Sequence, residues 1–203
     1  MNKKKEIELS IDENFKTFFE ENGYRRKRIL EYYRHQEDIE YRIGFAVTKK
    51  KYGGYEITTG VGLILVEIEK IFVNKEFEFR FGKPIHLLRE SKEYRYWTIE
   101  EAGEIRNIRI EIMEDFQRYA FSFFTEYKNS SDVIKMLQTP DPKNWFMCTP
   151  DRRDSVLVIW EYLKNGKDAA LNEGEKLIKK YEDKRPAFYQ QLDEAIDKIR
   201  KLK

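Results

Sequence analysis

Two alternating segments around a glycine turn constrain this chain most. In "EYRIGFAVT" (40–48), Tyr41, Ile43, Phe45 and Val47 point one way, and Glu40, Arg42, Gly44 and Ala46 the other. "YEITTGVGL" (55–63) repeats the pattern, with Tyr55, Ile57, Val61 and Leu63 inward and Glu56, Thr58, Gly60 and Gly62 outward. Period-two alternation marks strands that bury one face of an antiparallel sheet. "KKKYGG" between them supplies the turn. A tight loop at Lys51-Tyr52-Gly53 sets Ile43 opposite Val61 and Gly44 opposite Gly60. A one-residue slip would mix the faces, so the register is well specified.

Around this hairpin the pattern predicts an α+β fold. "SIDENFKTFFEENG" (10–23) reads as a helix, with Ser10 and Glu13 at capping-box spacing, Ile11, Phe15, Phe18 and Phe19 on one face, and Gly23 as a left-handed stop. "YRRKRILEYYR" reads as an edge strand whose lysine and arginines discourage unwanted pairing. Residues 64–74 fit either a helix or a strand, with a short helix after the strand preferred. "FEFRFG", "IHLLR" and "YRYWTI" are further strand candidates, giving a sheet of about five strands.

The longest helix is expected over 100–127, with Ile105, Ile108, Ile112, Phe116, Tyr119 and Phe123 as its apolar stripe. It ends in "FSFFTEYKNSSDVIKML" (121–137), where Asn129 suits a stop and Ser130 or Ser131 a new cap. After a proline-bounded loop at 138–153 come a helical hairpin and one more helix. The second hairpin helix places Ala170, Gly174, Leu177 and Tyr181 along one side. The last places Phe188, Leu192, Ala195, Ile196 and Ile199 together. Residues 1–137 therefore read as an α+β domain. Residues 138–203 read as a loop and helical extension packed on it as one unit.

Composition narrows the function. With 39 basic and 37 acidic residues the net charge is +2, so no global field draws the chain to nucleic acid or membrane. Aromatics make up 15% of 203 residues, which excludes a disordered chain. A lone cysteine, Cys148, cannot form an internal disulfide. The N-terminus lacks the apolar run of a signal peptide, and stretches such as "VGLILV" are too short to cross a bilayer. A soluble cytoplasmic protein is expected.

"FFEENGYRRKRILEYYR", "YEITTGVGL" and "FSFFTEYKNSSDVIKML" together resemble the bacterial domain-of-unknown-function 4304 family over roughly residues 12–137. "YLKNGKDAALNEGEKLIKKY" extends the resemblance over 154–182. The resemblance implies an N-terminal helix, an antiparallel sheet and a long helix ending in an aromatic cluster. It also implies an immunity-type protein that binds another protein. It carries no catalytic residues.

Several candidate sites remain. Arg42, Gly44, Thr58, Gly60 and Gly62 form the outer face of the hairpin. Side-chainless positions paired across strands weaken a sheet unless something approaches closely, so either a packed helix or a bound ligand or peptide is implied. Trp145, Phe146 and Met147 form a loop that either docks a partner or is pinned by its own aromatics. Arg26, Arg28, Lys49 and Lys51, interleaved with tyrosines, would gather at one sheet end if the first strand runs antiparallel to the second. That gives the alternative of a nucleic-acid-associated protein. Phe121, Phe123, Phe124 and Tyr127 serve either as a hot spot or, as large aromatics usually do, as core.

His35 and His86 stand at no metal-ligand spacing with each other or with Cys148. No phosphate-binding glycine loop, dinucleotide fingerprint, G-x-S-x-G or H-E-x-x-H occurs. The expected function is thus a non-enzymatic protein-binding module without cofactor or metal.

Overall fold

Asn2 opens the first helix. Its side chain accepts the Lys4 amide at 3.1 Å, and α1 runs Lys3–Glu21. The lysine run at 3–5 is therefore helical, and Lys4 pairs with Glu8 one turn on at 3.7 Å. Ser10, the expected cap, lies inside α1 and donates its hydroxyl to the Ala102 carbonyl at 2.9 Å. Gly23 takes the left-handed stop at φ 81°. The computed structural model describes residues 2–71, 80–91, 93–139, 148–180 and 190–202.

The strands follow as β1 (Arg25–Arg28), β2 (Glu31–Gln36), β3 (Ile39–Lys49) and β4 (Tyr55–Leu65). α2 (Val66–Ile71) then precedes β5 (Arg80–Pro84) and β6 (Trp97–Ile99). They form a six-stranded antiparallel sheet in the order β1-β2-β3-β4-β5, with β6 paired to the start of β4. The single edge strand expected over 24–34 is two strands. Leu30 adopts φ 66°, a conformation unusual for a branched side chain, and breaks the run. "IHLL" is a 3₁₀ turn rather than a strand. At the β3–β4 turn the Lys50 amide donates to the Gly54 carbonyl at 3.1 Å, closing the loop Lys51-Tyr52-Gly53.

A short 3₁₀ turn at Ala102–Glu104 leads into α3 (Ile105–Asp115), five residues of π-helix (Phe116–Ala120) and α4 (Phe121–Thr125). The wide turn is closed by the Phe121 amide on the Phe116 carbonyl. One extra residue per turn shifts the helix phase. Ala120 and Phe124 are therefore buried, while Tyr119 of the expected stripe is only half-buried.

Contacts divide the chain into two compact units. The first comprises Met1–Ile64 and Gly82–Asn129, the second Leu65–Phe81 and Ser130–Lys203. In the first, α1 packs with α3 over the inner sheet face. Phe19 is the hub of this core, with ring centroids 4.4 Å from Tyr32 and 5.0 Å from Phe116. Phe15 and Phe116 both pack on Phe45, at 4.9 and 5.5 Å. Trp97 donates its indole N–H to Glu111 of α3 at 2.9 Å, tying β6 to the same layer.

The aromatic cluster at the end of the long helix is core. Phe123 and Phe124 are buried, and Phe124 stacks on Tyr41 at 4.6 Å. The Tyr41 hydroxyl donates to the Tyr127 carbonyl at 2.7 Å, which fixes the end of α4 to the sheet. Phe121 stacks on Phe18 and Tyr24.

The second unit contains α5 (Ser130–Gln138), α6 (Pro150–Asn165), α7 (Lys167–Lys180) and α8 (Gln190–Lys201). The Thr149 side chain caps α6 by accepting the Arg152 amide at 3.3 Å, and Pro150 occupies the first turn. Gly166, at φ 87°, ends α6 and lets α7 fold back. Within α7, a Cβ on Gly174 would lie 2.8 Å from Ile196 Cδ1, so only glycine allows this approach of α7 to α8. The Asp151 carboxylate accepts the Gln191 and Leu192 amides at 3.0 and 2.9 Å, holding the start of α8. At its other end, Lys167 Nζ donates to the Arg200 and Leu202 carbonyls. Tyr181 and Phe188 lie outside the described residues.

Candidate functional site

The outer sheet face is built by the pairing of β2 with β3. Glu31, Tyr33 and His35 stand opposite Gly44, Arg42 and Glu40, so all six project away from α1. Arg42 donates to Glu31 at 2.7 Å through Nη1 and to Glu40 through Nε. Arg28 Nε reaches Glu31 at 2.5 Å, Lys27 reaches Glu40 at 3.6 Å, and His35 reaches Glu40 at 3.4 Å. Glu31, Glu40 and Arg42 are all buried.

This changes the reading of Arg42. Alternation places it on an accessible groove floor; the structure makes it the centre of a buried ion network. A guanidinium so deep is retained because two carboxylates compensate its lost hydration. Of the other groove positions, Gly44, Thr58 and Gly60 are half-buried and Gly62 is buried. A Cβ on Gly60 would sit 3.6 Å from the Lys83 carbonyl, an ordinary contact.

The basic residues do not gather. Arg26 turns to the inner face and pairs with Asp12 of α1 at 3.0 Å, while Arg28 pairs with Glu31. Arg28, Glu31 and Gly44 line up across the sheet. Lys49 lies five residues beyond Gly44, which puts it on the order of 15–20 Å from Arg28 by strand spacing. That exceeds the screening length at physiological salt. The expected basic edge fails because β1 is a separate strand that pairs with the start of β2. Lys49 and Lys51 are exposed at the β3–β4 turn.

Trp145, Phe146 and Met147 lie outside the described residues. Cys148 follows them and is buried, and burial pushes its thiol up to about 11. Only about one part in a thousand is then thiolate at pH 8. Alkylation of Cys148 by iodoacetamide at pH 8 is expected to run roughly a hundredfold slower than that of free cysteine. A rate matching free cysteine would mean an accessible thiol. Among the described residues, no group of three His, Cys, Asp or Glu is placed to hold a metal ion.

A second cluster on the outer face escaped the sequence reading. Glu56 stands opposite Thr98, which sets the outward side of β6 and of the segment before it. Tyr94 packs on Tyr96 at 5.3 Å and against His86 at 4.9 Å. The Tyr94 hydroxyl donates to Glu56 at 2.6 Å, and this bond raises its pKa. Burial lowers the pKa of His86. Lys50 lies over the Tyr96 ring at 5.1 Å and donates to Thr98 at 3.4 Å.

These rings stay open to solvent: Tyr94 is 58% exposed, Tyr96 43% and Tyr52, on the turn, 93%. Lys49, Lys50 and Lys51 have no carboxylate partner among the described residues. The sequence signal was the alternation in "YRYWTI", which sends Tyr94 and Tyr96 one way and Arg95 and Trp97 the other. It could not say which side would be covered. Comparison of this chain with protein-family models, curated proteins and solved structures finds no match.

Proposed function

We propose that this chain is a non-enzymatic protein-binding module, of the immunity or adaptor kind that the sequence resemblance implies, acting in the cytoplasm. The observation that supports this most is the exposed tyrosine–lysine surface formed by Tyr52, Tyr94 and Tyr96 beside Lys49, Lys50 and Lys51. Tyrosine brings large rigid contact area with one polar end, which is why it dominates protein interfaces. Its neighbours here are lysines with no carboxylate partner among the described residues, so the complementary partner is a protein with an acidic surface. The half-buried Thr58, Gly44 and Gly60 continue the outer face and give the partner a flat approach.

The test is capture from cell lysate followed by titration of the purified partner. Replacing Tyr94 and Tyr96 together with alanine is expected to weaken binding by roughly 30-fold, about 2 kcal/mol for the pair, the scale of an interface hot spot. An unchanged affinity would sink the proposal. Recovery of RNA or DNA in place of a protein, abolished by K49E/K51E, would favour the nucleic-acid reading instead.

A further inference from the structure

β6 is paired on one side only. Tyr55, Glu56 and Ile57 of β4 stand opposite Ile99, Thr98 and Trp97, and no strand among the described residues takes the other edge. The Ile99 carbonyl oxygen lies 3.1 Å from where a Cβ on Gly54 would stand, so it points at β4. In an antiparallel ladder, alternate residues send both backbone groups to the same neighbour. Trp97 and Ile99 therefore bond to β4, and Thr98 directs its N–H and C=O outward. Exposure follows the same phase: Trp97 and Ile99 are buried and Thr98 is exposed. Tyr94, Arg95 and Tyr96, just before the strand, belong to no helix, strand or turn, and make no backbone hydrogen bond among the described residues.

The edge at β1 is defended. Its register shifts between Arg26 and Arg28, and Arg26, Lys27 and Arg28 each meet an acid. At β6 the neighbouring charge is open instead. Lys50 Nζ lies 3.4 Å from Thr98 Oγ1 and 5.1 Å from the centre of the Tyr96 ring, and has no carboxylate partner among the described residues. Glu56 lies on the β4 side of Thr98 and already accepts the Tyr94 hydroxyl at 2.6 Å. Glu93 and Glu100, both exposed, mark the two ends of the stretch that suits an acid.

We propose that the partner protein adds an extended acidic segment to the open edge of β6 as a further antiparallel strand. This rests on the protein-binding reading above and names how the partner is held. An added strand lies about 4.8 Å from β6. Its residue opposite Thr98 exchanges both backbone hydrogen bonds with Thr98 and turns its side chain to the outer face, beside Lys50. A carboxylate at that position meets the Lys50 ammonium, and the next outward position along the added strand meets Tyr96. The alternate side chains turn to the inner face beside Trp97 and Ile99, where β-branched residues pair well with an aromatic ring. A second copy of this chain would set its own Lys50 against this one, so like charge and the shortness of β6 disfavour self-pairing.

The experiment is calorimetric titration of the full chain with an end-capped synthetic peptide of about seven residues alternating glutamate and valine. Saturable binding with a Kd of about 100 μM is expected. N-methylation of the peptide's glutamates removes the donors that face Thr98 and Tyr96, and is expected to weaken binding at least about tenfold. Thr98→Pro should do the same, since proline at an exposed edge removes one outward N–H and is tolerated there. Circular dichroism checks that this variant keeps its fold, and the methylated peptide carries the test if it does not. Lysine in place of glutamate is expected to weaken the peptide about tenfold. No saturable heat up to about 1 mM peptide overturns the proposal, and so does equal affinity for the methylated peptide, for the lysine peptide or in a folded T98P. Binding that survives methylation and T98P but falls when Tyr94 and Tyr96 become alanine overturns the strand addition and leaves the protein-binding reading standing.

Discussion

Replacing Arg42 with alanine is expected to destabilise the protein by about 3–5 kcal/mol, the cost of leaving buried carboxylates without their cation. Arg42 is 3% exposed and donates to both Glu31 and Glu40. Both carboxylates are themselves buried. Their other partners are poorer substitutes. The side chains of Arg28, Lys27 and His35 are 71%, 41% and 58% exposed, so their ion pairs are largely screened.

Urea denaturation measures the loss directly. A triple replacement, Glu31→Leu with Glu40→Leu and Arg42→Met, should recover most of it, because a buried ion network is often no more stable than apolar residues of like volume. The network then fixes which face of β3 is used rather than how stable it is. A loss below about 1 kcal/mol in Arg42→Ala would show that water reaches these carboxylates.

Phe124→Ala is the second large effect, expected at about 3–5 kcal/mol. Phe124 is 1% exposed and touches Tyr24, Tyr41 and Phe123. Its removal opens a cavity between rings that cannot collapse, since the Tyr41 hydroxyl is tied to the Tyr127 carbonyl. The melting temperature should fall by about 10 °C. Ile110→Ala, on a residue 70% exposed on α3, is the matched control and should stay within about 0.5 kcal/mol. If Phe124→Ala behaved like that control, the aromatic cluster would be a surface rather than core.

The legible parts of the fold are those where one local signal dominates. The Lys51-Tyr52-Gly53 loop closes as read, because glycines at φ 103° and 73° leave the turn few alternatives. A break does fall between Thr125, the end of α4, and Ser130, the start of α5, but Asn129 does not take the left-handed stop expected of it and Ser130 is the first helical residue rather than the cap; Gly166 separates α6 from α7. The start of α1 was missed although its signal was present: Ile7 extends the Ile11–Phe15 stripe back by one turn. The break at Leu30 was not legible. Local preference disfavours a left-handed leucine, and only the pairing of β1 and β3 on either side of β2 compensates it.

The site was less legible than the fold. Arg42 and the glycines were found by alternation, and Tyr94 and Tyr96 lay in the same kind of pattern. Alternation sorts residues between two faces and is silent on their burial. Pairing supplied the rest: Arg26 points at Asp12 and Arg28 at Glu31 because β1 meets the start of β2. A charge run in sequence says nothing about which acids the fold will bring to it.

By itself, then, the sequence determined the α+β class, the hairpin at its centre and the helical C-terminal segment. Those follow from periods of two and 3.6 residues and from glycine and proline at turns, all local quantities. The tertiary structure alone decided that Arg42 is buried, that Arg26, Lys27 and Arg28 are each paired with an acid, and that Tyr52, Tyr94 and Tyr96 face solvent. Each depends on groups far apart in the chain, such as Arg26 with Asp12 or Tyr94 with Glu56. Charge and exposure are sums over spatial neighbours, and no window of sequence contains them.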